Sequence, residues 1–286
     1  MGKNDSLAKF VNGDIKKVSF RTTDGKFIFN ISVLEPKYPN GITILAMGGG
    51  ITSHATFSSF QGYLAELGYR FITIPHVLNR DTKIPDGFIK KYRRDYRNGF
   101  TIDADILRIL FSSLKMQGYL KGNIVLMGYS SGAPILARVA KCVKPKIILL
   151  VNPIGFYKEK YIGSYIETLR IYAAFLFLAI KTFFMFGSNI REATITRMGS
   201  KPYSWVDLLL VPIKATYENS RFLKEKSIKK VLIYGTLDRV SSIKKMDIMR
   251  LNKNSYAFGE THTEIYLSSP KTAEYLDNLI KKHLAS

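Results

Sequence analysis

A chain of 286 residues with 46% hydrophobic side chains can bury one large domain with an insertion, which excludes disorder as the default. Its 43 basic and 22 acidic residues leave a net charge of +21. Cys142, the one cysteine, excludes both an intramolecular disulfide framework and a cysteine-built zinc site.

Val18 to Leu34 alternates in polarity around a turn at Thr23–Gly25 and reads as a hairpin. Gly41 to Ala46 is a short β-rich run that ends in Gly48-Gly49-Gly50. Phe57 to Leu67 has helical spacing with Gly68 as its stop, and Tyr69 to Ile74 is a buried strand. Thr101 to Gln117 repeats its apolar residues at helical spacing. A strand at Asn123–Met127, a sharp turn, a helix from Ala133 to Lys141 and an apolar strand at Lys146–Val151 follow. Strand–helix alternation predicts an α/β fold, with a mostly parallel sheet and helices on both faces.

The rhythm stops after Pro153. The segment 155–226 is aromatic-rich with helical spacing, and is expected to be a helical lid inserted into a core made of 1–154 and 227–286. Strands at Lys230–Tyr234 and Tyr256–Phe258 resume the pattern, and an amphipathic helix spans Thr272–Leu284. The most apolar stretch, Ile171 to Phe186, is broken by Lys181. A spanning helix needs roughly 20 mostly apolar residues, so a buried or lid helix is the expectation.

The cysteine usage fits a reducing cytoplasm, and Met1 to Phe10 hold no apolar core of signal-peptide length. The basic residues are scattered from Lys16 to Lys282. They read as a solvated, lysine-rich surface or, more sharply, as one that touches anionic membrane peripherally. No base-reading motif accompanies them, which argues against nucleic acid as partner.

Gly128-Tyr129-Ser130-Ser131-Gly132 stands between a predicted strand and a predicted helix. This is the G-x-S-x-G nucleophile elbow in the context it requires. The serine occupies a strained turn, so the residues two before and two after it must be small. A serine nucleophile needs a base, and the base needs an orienting partner. Where such an elbow sits on a parallel sheet, the acid and then the histidine follow the serine along the chain. Of the four histidines, His54 and His76 precede Ser130, and His283 reads as a solvated position in the last helix. His262 is therefore the candidate base. Asp238, on the turn after the strand ending at Tyr234, is the candidate acid; Glu260 and Asp207 are the rival carboxylates. Two N–H groups should hold the oxyanion, one from Ser131 and one from Gly49, with Gly50 close behind.

Together these residues resemble the α/β-hydrolase superfamily, particularly its lysophospholipase-like and esterase-like serine hydrolases. The resemblance runs from about Val18 to the C-terminus, through Ala46-Met47-Gly48-Gly49-Gly50, Leu67-Gly68-Tyr69, the elbow, Tyr234-Gly235-Thr236-Leu237-Asp238 and Thr261-His262. Met47 stands where a histidine often precedes the oxyanion glycines. Pro75-His76 stands where many relatives carry an aspartate and a Gly-rich turn.

The expected activity is hydrolysis of a small-molecule carboxylic ester or thioester through an acyl-enzyme on Ser130, with no metal or organic cofactor. Bulky apolar residues such as Phe175, Phe177, Phe183, Phe186 and Trp205 would line an acyl pocket or simply pack the lid. The same triad could instead serve acyl transfer, C–C bond hydrolysis or peptide cleavage. A non-catalytic basic module at a membrane surface is the alternative from another class.

Overall fold

The computed structural model describes residues 13–22, 24–49, 57, 60–77, 82–85, 87–88, 101–153, 173, 222, 227–238, 254–259, 265 and 269–285. Among them a nine-stranded sheet forms the centre. Strands β1 (Gly13–Arg21) and β2 (Ile28–Pro36) make the expected hairpin, paired from Gly13↔Pro36 to Arg21↔Ile28. Its turn is fastened by the Thr22 hydroxyl, which donates to Asp24 Oδ1 at 2.6 Å, and by Gly25 at φ 72°. That hydroxyl holds the Asp24 carboxyl below the ordinary aspartate range.

β3 (Ile42–Met47), helix α1 (Gln61–Glu66) and β4 (Arg70–Ile74) follow. A two-residue strand β5 (Thr82–Lys83), which the sequence pattern does not suggest, pairs with the start of β2. Then come α2 (Thr101–Met116), β6 (Asn123–Tyr129), α3 (Gly132–Val143), β7 (Ile147–Val151), β8 (Lys229–Tyr234), β9 (Ser255–Ala257) and α4 (Ser269–Ala285). Spatial order is β1-β2-β4-β3-β6-β7-β8-β9. The hairpin joins antiparallel at β2–β4, and every pair from β4 to β9 is parallel. The mostly parallel sheet is thus the one the strand–helix alternation predicts. Residues 154–172, 174–221 and 223–226 lie outside the described residues, and with them nearly all of the expected lid.

Alternate residues of each central strand enter two separate cores. Leu45, Met47, Leu126, Ile148 and Leu150 meet α2 and α3 through Leu107, Leu110, Leu136 and Val139. Ile44, Ala46, Val125, Met127, Ile147 and Leu149 meet α1 and α4 through Leu64, Leu276 and Ile280. Burial on both faces explains why β7 reads as an unbroken apolar run instead of an alternating one. Each such fully buried Leu or Ile stabilises the fold by roughly 1.5–3 kcal/mol before entropy is counted.

Several polar side chains inside the body tie distant elements together. The Tyr69 hydroxyl donates to Asp277 Oδ1 at 2.7 Å and ties β4's edge to α4, 208 positions along the chain. Burial and the neighbouring carboxylate push that phenol well above its ordinary range. Arg70 pairs with Glu35 and donates to the Tyr119 carbonyl at 2.6 Å. His283, expected to be solvated, is only 5% exposed; its Nε2 lies 3.0 Å from the Tyr256 hydroxyl. Amphipathic spacing places α4 on the surface, but the turn of the helix that carries His283 faces β9.

Candidate active site

The carboxyl ends of parallel strands are where an open α/β sheet presents ligands, and of the predicted site residues Gly49, Ser130, Ser131 and Asp238 follow such strand ends. Ser130 directly follows β6, at φ 53°. A left-handed non-glycine residue costs about 1–2 kcal/mol, so its surroundings must impose it. The Ser130 N–H donates to the Val151 carbonyl at 2.9 Å, and its own carbonyl accepts the Ala133 N–H at 3.2 Å. The flanking glycines are steric requirements. A Cβ on Gly128 would lie 2.4 Å from Ala133 Cα, and one on Gly132 would lie 2.5 Å from the carbonyl oxygens of both Met47 and Gly48. The elbow therefore packs its strand-to-helix turn against the end of β3, in register with Met47↔Gly128.

Gly49 is the next residue but one along that strand end. A Cβ there would sit 2.3 Å from Ser130 Cβ and 2.8 Å from Ser130 Oγ. The main chain at 49 thus runs directly against the serine, an approach that a side chain would prevent. Ser131 is buried at the start of α3. Ser130, Ser131 and Gly49 are brought together. Gly50 lies outside the described residues.

Asp238 is 7% exposed, on the turn after β8. Its N–H donates to the Gly235 carbonyl at 3.2 Å. β8 is the second strand over from β6, about 10 Å away at the usual spacing. The same turn reaches towards the end of β9: the Thr236 N–H donates to the Gly259 carbonyl at 3.1 Å. His262, Glu260, Asp207 and His54 lie outside the described residues.

Two further buried residues on this edge, Asn152 and Asp103, were not singled out by the sequence, and His76 stands out in it only as preceding Ser130 and as a departure from the aspartate of many relatives. Asn152 directly follows β7 at φ 40°, and its side-chain oxygen accepts the Gly235 N–H at 2.8 Å. The Asn-Pro pair at 152–153 is a turn signal, but its partner is 83 residues away. His76 and Asp103 form the other feature. His76 follows β4, with its Nε2 3.6 Å from Asp103 Oδ1 in the first turn of α2. Burial depresses the His76 pKa, and the Asp103 charge opposes the shift. Among the described residues, no group of three or more His, Cys, Asp and Glu could hold a metal ion, and no helix is long and apolar enough to cross a membrane.

Residues 16–265 match the family described as "Alpha/beta hydrolase of unknown function (DUF1057)". No curated protein matches the sequence. Among solved structures, the chain is similar to a provisionally assigned lipase (lip1) from Acinetobacter baumannii AYE. That similarity has 19% identity and a TM-score of 0.69, over 98% of this chain and 95% of that one. It is also similar to an esterase from Exiguobacterium antarcticum, at 15% identity and TM-score 0.67, over 93% and 100% of the two chains. A bromoperoxidase from Bacillus anthracis matches at 15% identity and TM-score 0.66, over 93% and 100%. At these identities the likeness establishes the fold, and the different activities named for the three proteins show why it goes no further.

Proposed function

Because the chain belongs to the DUF1057 family of alpha/beta hydrolases, we propose that it hydrolyses a carboxylic ester or thioester through an acyl-enzyme on Ser130. The observation that carries this reading is the left-handed Ser130 pressed against the main chain of Gly49. A fold that holds a serine in a costly conformation, beside backbone with no side chain in the way, suits attack on a carbonyl.

In the proposed reaction Ser130 Oγ bonds to the acyl carbon while His262 takes the hydroxyl proton. The carbonyl oxygen becomes an oxyanion between the N–H groups of Gly49 and Ser131, each worth roughly 3 kcal/mol in comparable sites. The tetrahedral intermediate breaks its bond to the alcohol or thiol, which leaves with the proton from His262. Water, deprotonated by His262, then attacks the acyl carbon, and as the bond to Ser130 Oγ breaks His262 returns that proton to the serine oxygen and the acid leaves. Asp238 holds the imidazole in the required tautomer and stabilises its charged form. Chain reach favours His262 in this role. It lies three residues after Gly259, so it stays within about 11 Å of a residue bonded to the acid turn.

The aromatic segment 155–226 is proposed as a lid that offers a hydrophobic acyl pocket. The +21 charge favours peripheral contact with anionic membrane, where such acyl groups are found. A fluorophosphonate probe tests the central claim. It should label the native chain and leave Ser130→Ala unlabelled; label on both would place the nucleophile elsewhere. Hydrolysis of p-nitrophenyl esters of graded length tests the pocket, and a sharp preference for acetate would defeat it.

A further inference from the structure

Asn152 lies between the turn that carries Ser130 and the turn that carries Asp238. Its neighbour Val151 accepts the Ser130 N–H through its carbonyl at 2.9 Å. Its own N–H donates to the Ile233 carbonyl at 2.8 Å, continuing the β7–β8 ladder past Val151↔Ile233. Its side-chain oxygen takes the Gly235 N–H at 2.8 Å, and the Gly235 carbonyl in turn takes the Asp238 N–H at 3.2 Å. A main-chain N–H can be met only by the oxygen of the amide, so chemistry fixes which way the side chain faces. The residue is 2% exposed.

We propose that Asn152 is a positioning residue for catalysis, whose side-chain oxygen sets the place of the Asp238 carboxylate relative to Ser130. This rests on the reading of Asp238 as the acid of the triad. The position makes two demands. Its φ of 40° favours glycine, asparagine or aspartate. The Gly235 N–H demands a side-chain acceptor. Glycine meets the first demand alone, and aspartate meets both. A purely conformational role would therefore be filled as well by glycine as by asparagine.

That difference is the test. Steady-state hydrolysis of a p-nitrophenyl ester is measured for the native chain, Asn152→Gly, Asn152→Asp, Asp238→Asn and the Asn152→Gly/Asp238→Asn double variant. A misplacement of about 1 Å at a reacting group costs roughly 100-fold. Asn152→Gly should accordingly lose about 10- to 100-fold in kcat, with KM within about twofold. Asn152→Asp should keep kcat within about threefold of native. Once Asp238 is an amide, Asn152→Gly should do little further harm, because the two residues act through one carboxylate. Native kcat in Asn152→Gly, or losses that multiply in the double variant, would overturn the proposal. If Asn152→Gly does not fold, a folded Asn152→Asp that has lost about tenfold overturns it instead. If the native chain takes no fluorophosphonate label and shows no esterase activity, the reading of Ser130 fails and the role of Asn152 falls with it. Label on the native chain with an unimpaired Asn152→Gly removes Asn152 alone.

Discussion

At the hairpin turn between β1 and β2 and at the turn after β6, the backbone enters the same left-handed region, but different residues carry it. Gly25 does so in the hairpin, and Gly41, Gly68 and Gly122 do so on the way into β3, β4 and β6. At the opposite ends of the strands, Ser130 and Asn152 hold positive φ with side chains attached. Where a turn only reverses the chain, glycine carries the conformation without steric cost. Where a side chain is retained despite that cost, it has a task the turn alone does not explain. Lys144 is the contrasting case: non-glycine, left-handed, leading into β7, and serving as the cap of α3 with its N–H on the Ala140 carbonyl at 2.8 Å.

The comparison breaks most plainly at Ser130. Ser130→Gly should lower esterase activity about 10⁴-fold or more, while its thermal midpoint stays level or rises by about 1–3 °C as the strain is relieved. A fall in the midpoint would mean that the serine serves folding. Gly49→Ala comes next. The new Cβ meets Ser130 at 2.3 Å, so kcat should drop by about 100-fold, with a stability loss of about 1–3 kcal/mol in urea titration. Activity near native would show that the approach at Gly49 is incidental.

A smaller effect follows from His76. Its pKa is depressed below the ordinary 6.5, chiefly by burial. Below that ordinary value the unfolded chain binds a proton that the folded chain refuses. The stability is thus complete above about pH 6.5 and drains away as the pH falls towards the lower folded value. His283 is depressed as well, by burial and then by Lys229 and Lys282, and adds in the same direction. Urea midpoints measured from about pH 7.5 to 5 should fall, and the slope should be shallower in His76→Gln. An identical slope in that variant would remove His76 from the account. Smallest of all, Lys144→Gly should leave kcat unchanged and stabilise by a few tenths to about 1 kcal/mol. A loss of activity there would erase the distinction between the two ends of the strands.

Much of this was legible in the sequence because it depends on local rules. The strands β3, β4, β6, β7 and β8 announce themselves as apolar runs, since a sheet covered on both sides needs no polar face. The elbow is legible because two close backbone crossings leave Gly128 and Gly132 no room for a Cβ. Asn152 was not legible, because its task is defined by Gly235, brought beside it only when β7 and β8 pair. β5 escaped notice because two residues carry no period, and their pairing depends on where β2 begins. The burial of His283 depends on Tyr256, from a strand whose position against α4 no helical pattern encodes.

The bond between Tyr69 and Asp277 bears on how the protein emerges from the ribosome. One side of the sheet is closed by α1 together with α4, and α4 ends at Ala285. Until α4 has been synthesised, Phe57, Phe60 and Phe71 lie beside a face without that part of its cover. The nascent chain can assemble its hairpin and early strands, but that side closes only once α4 has left the exit tunnel. Until then it presents an apolar surface of the kind chaperones bind.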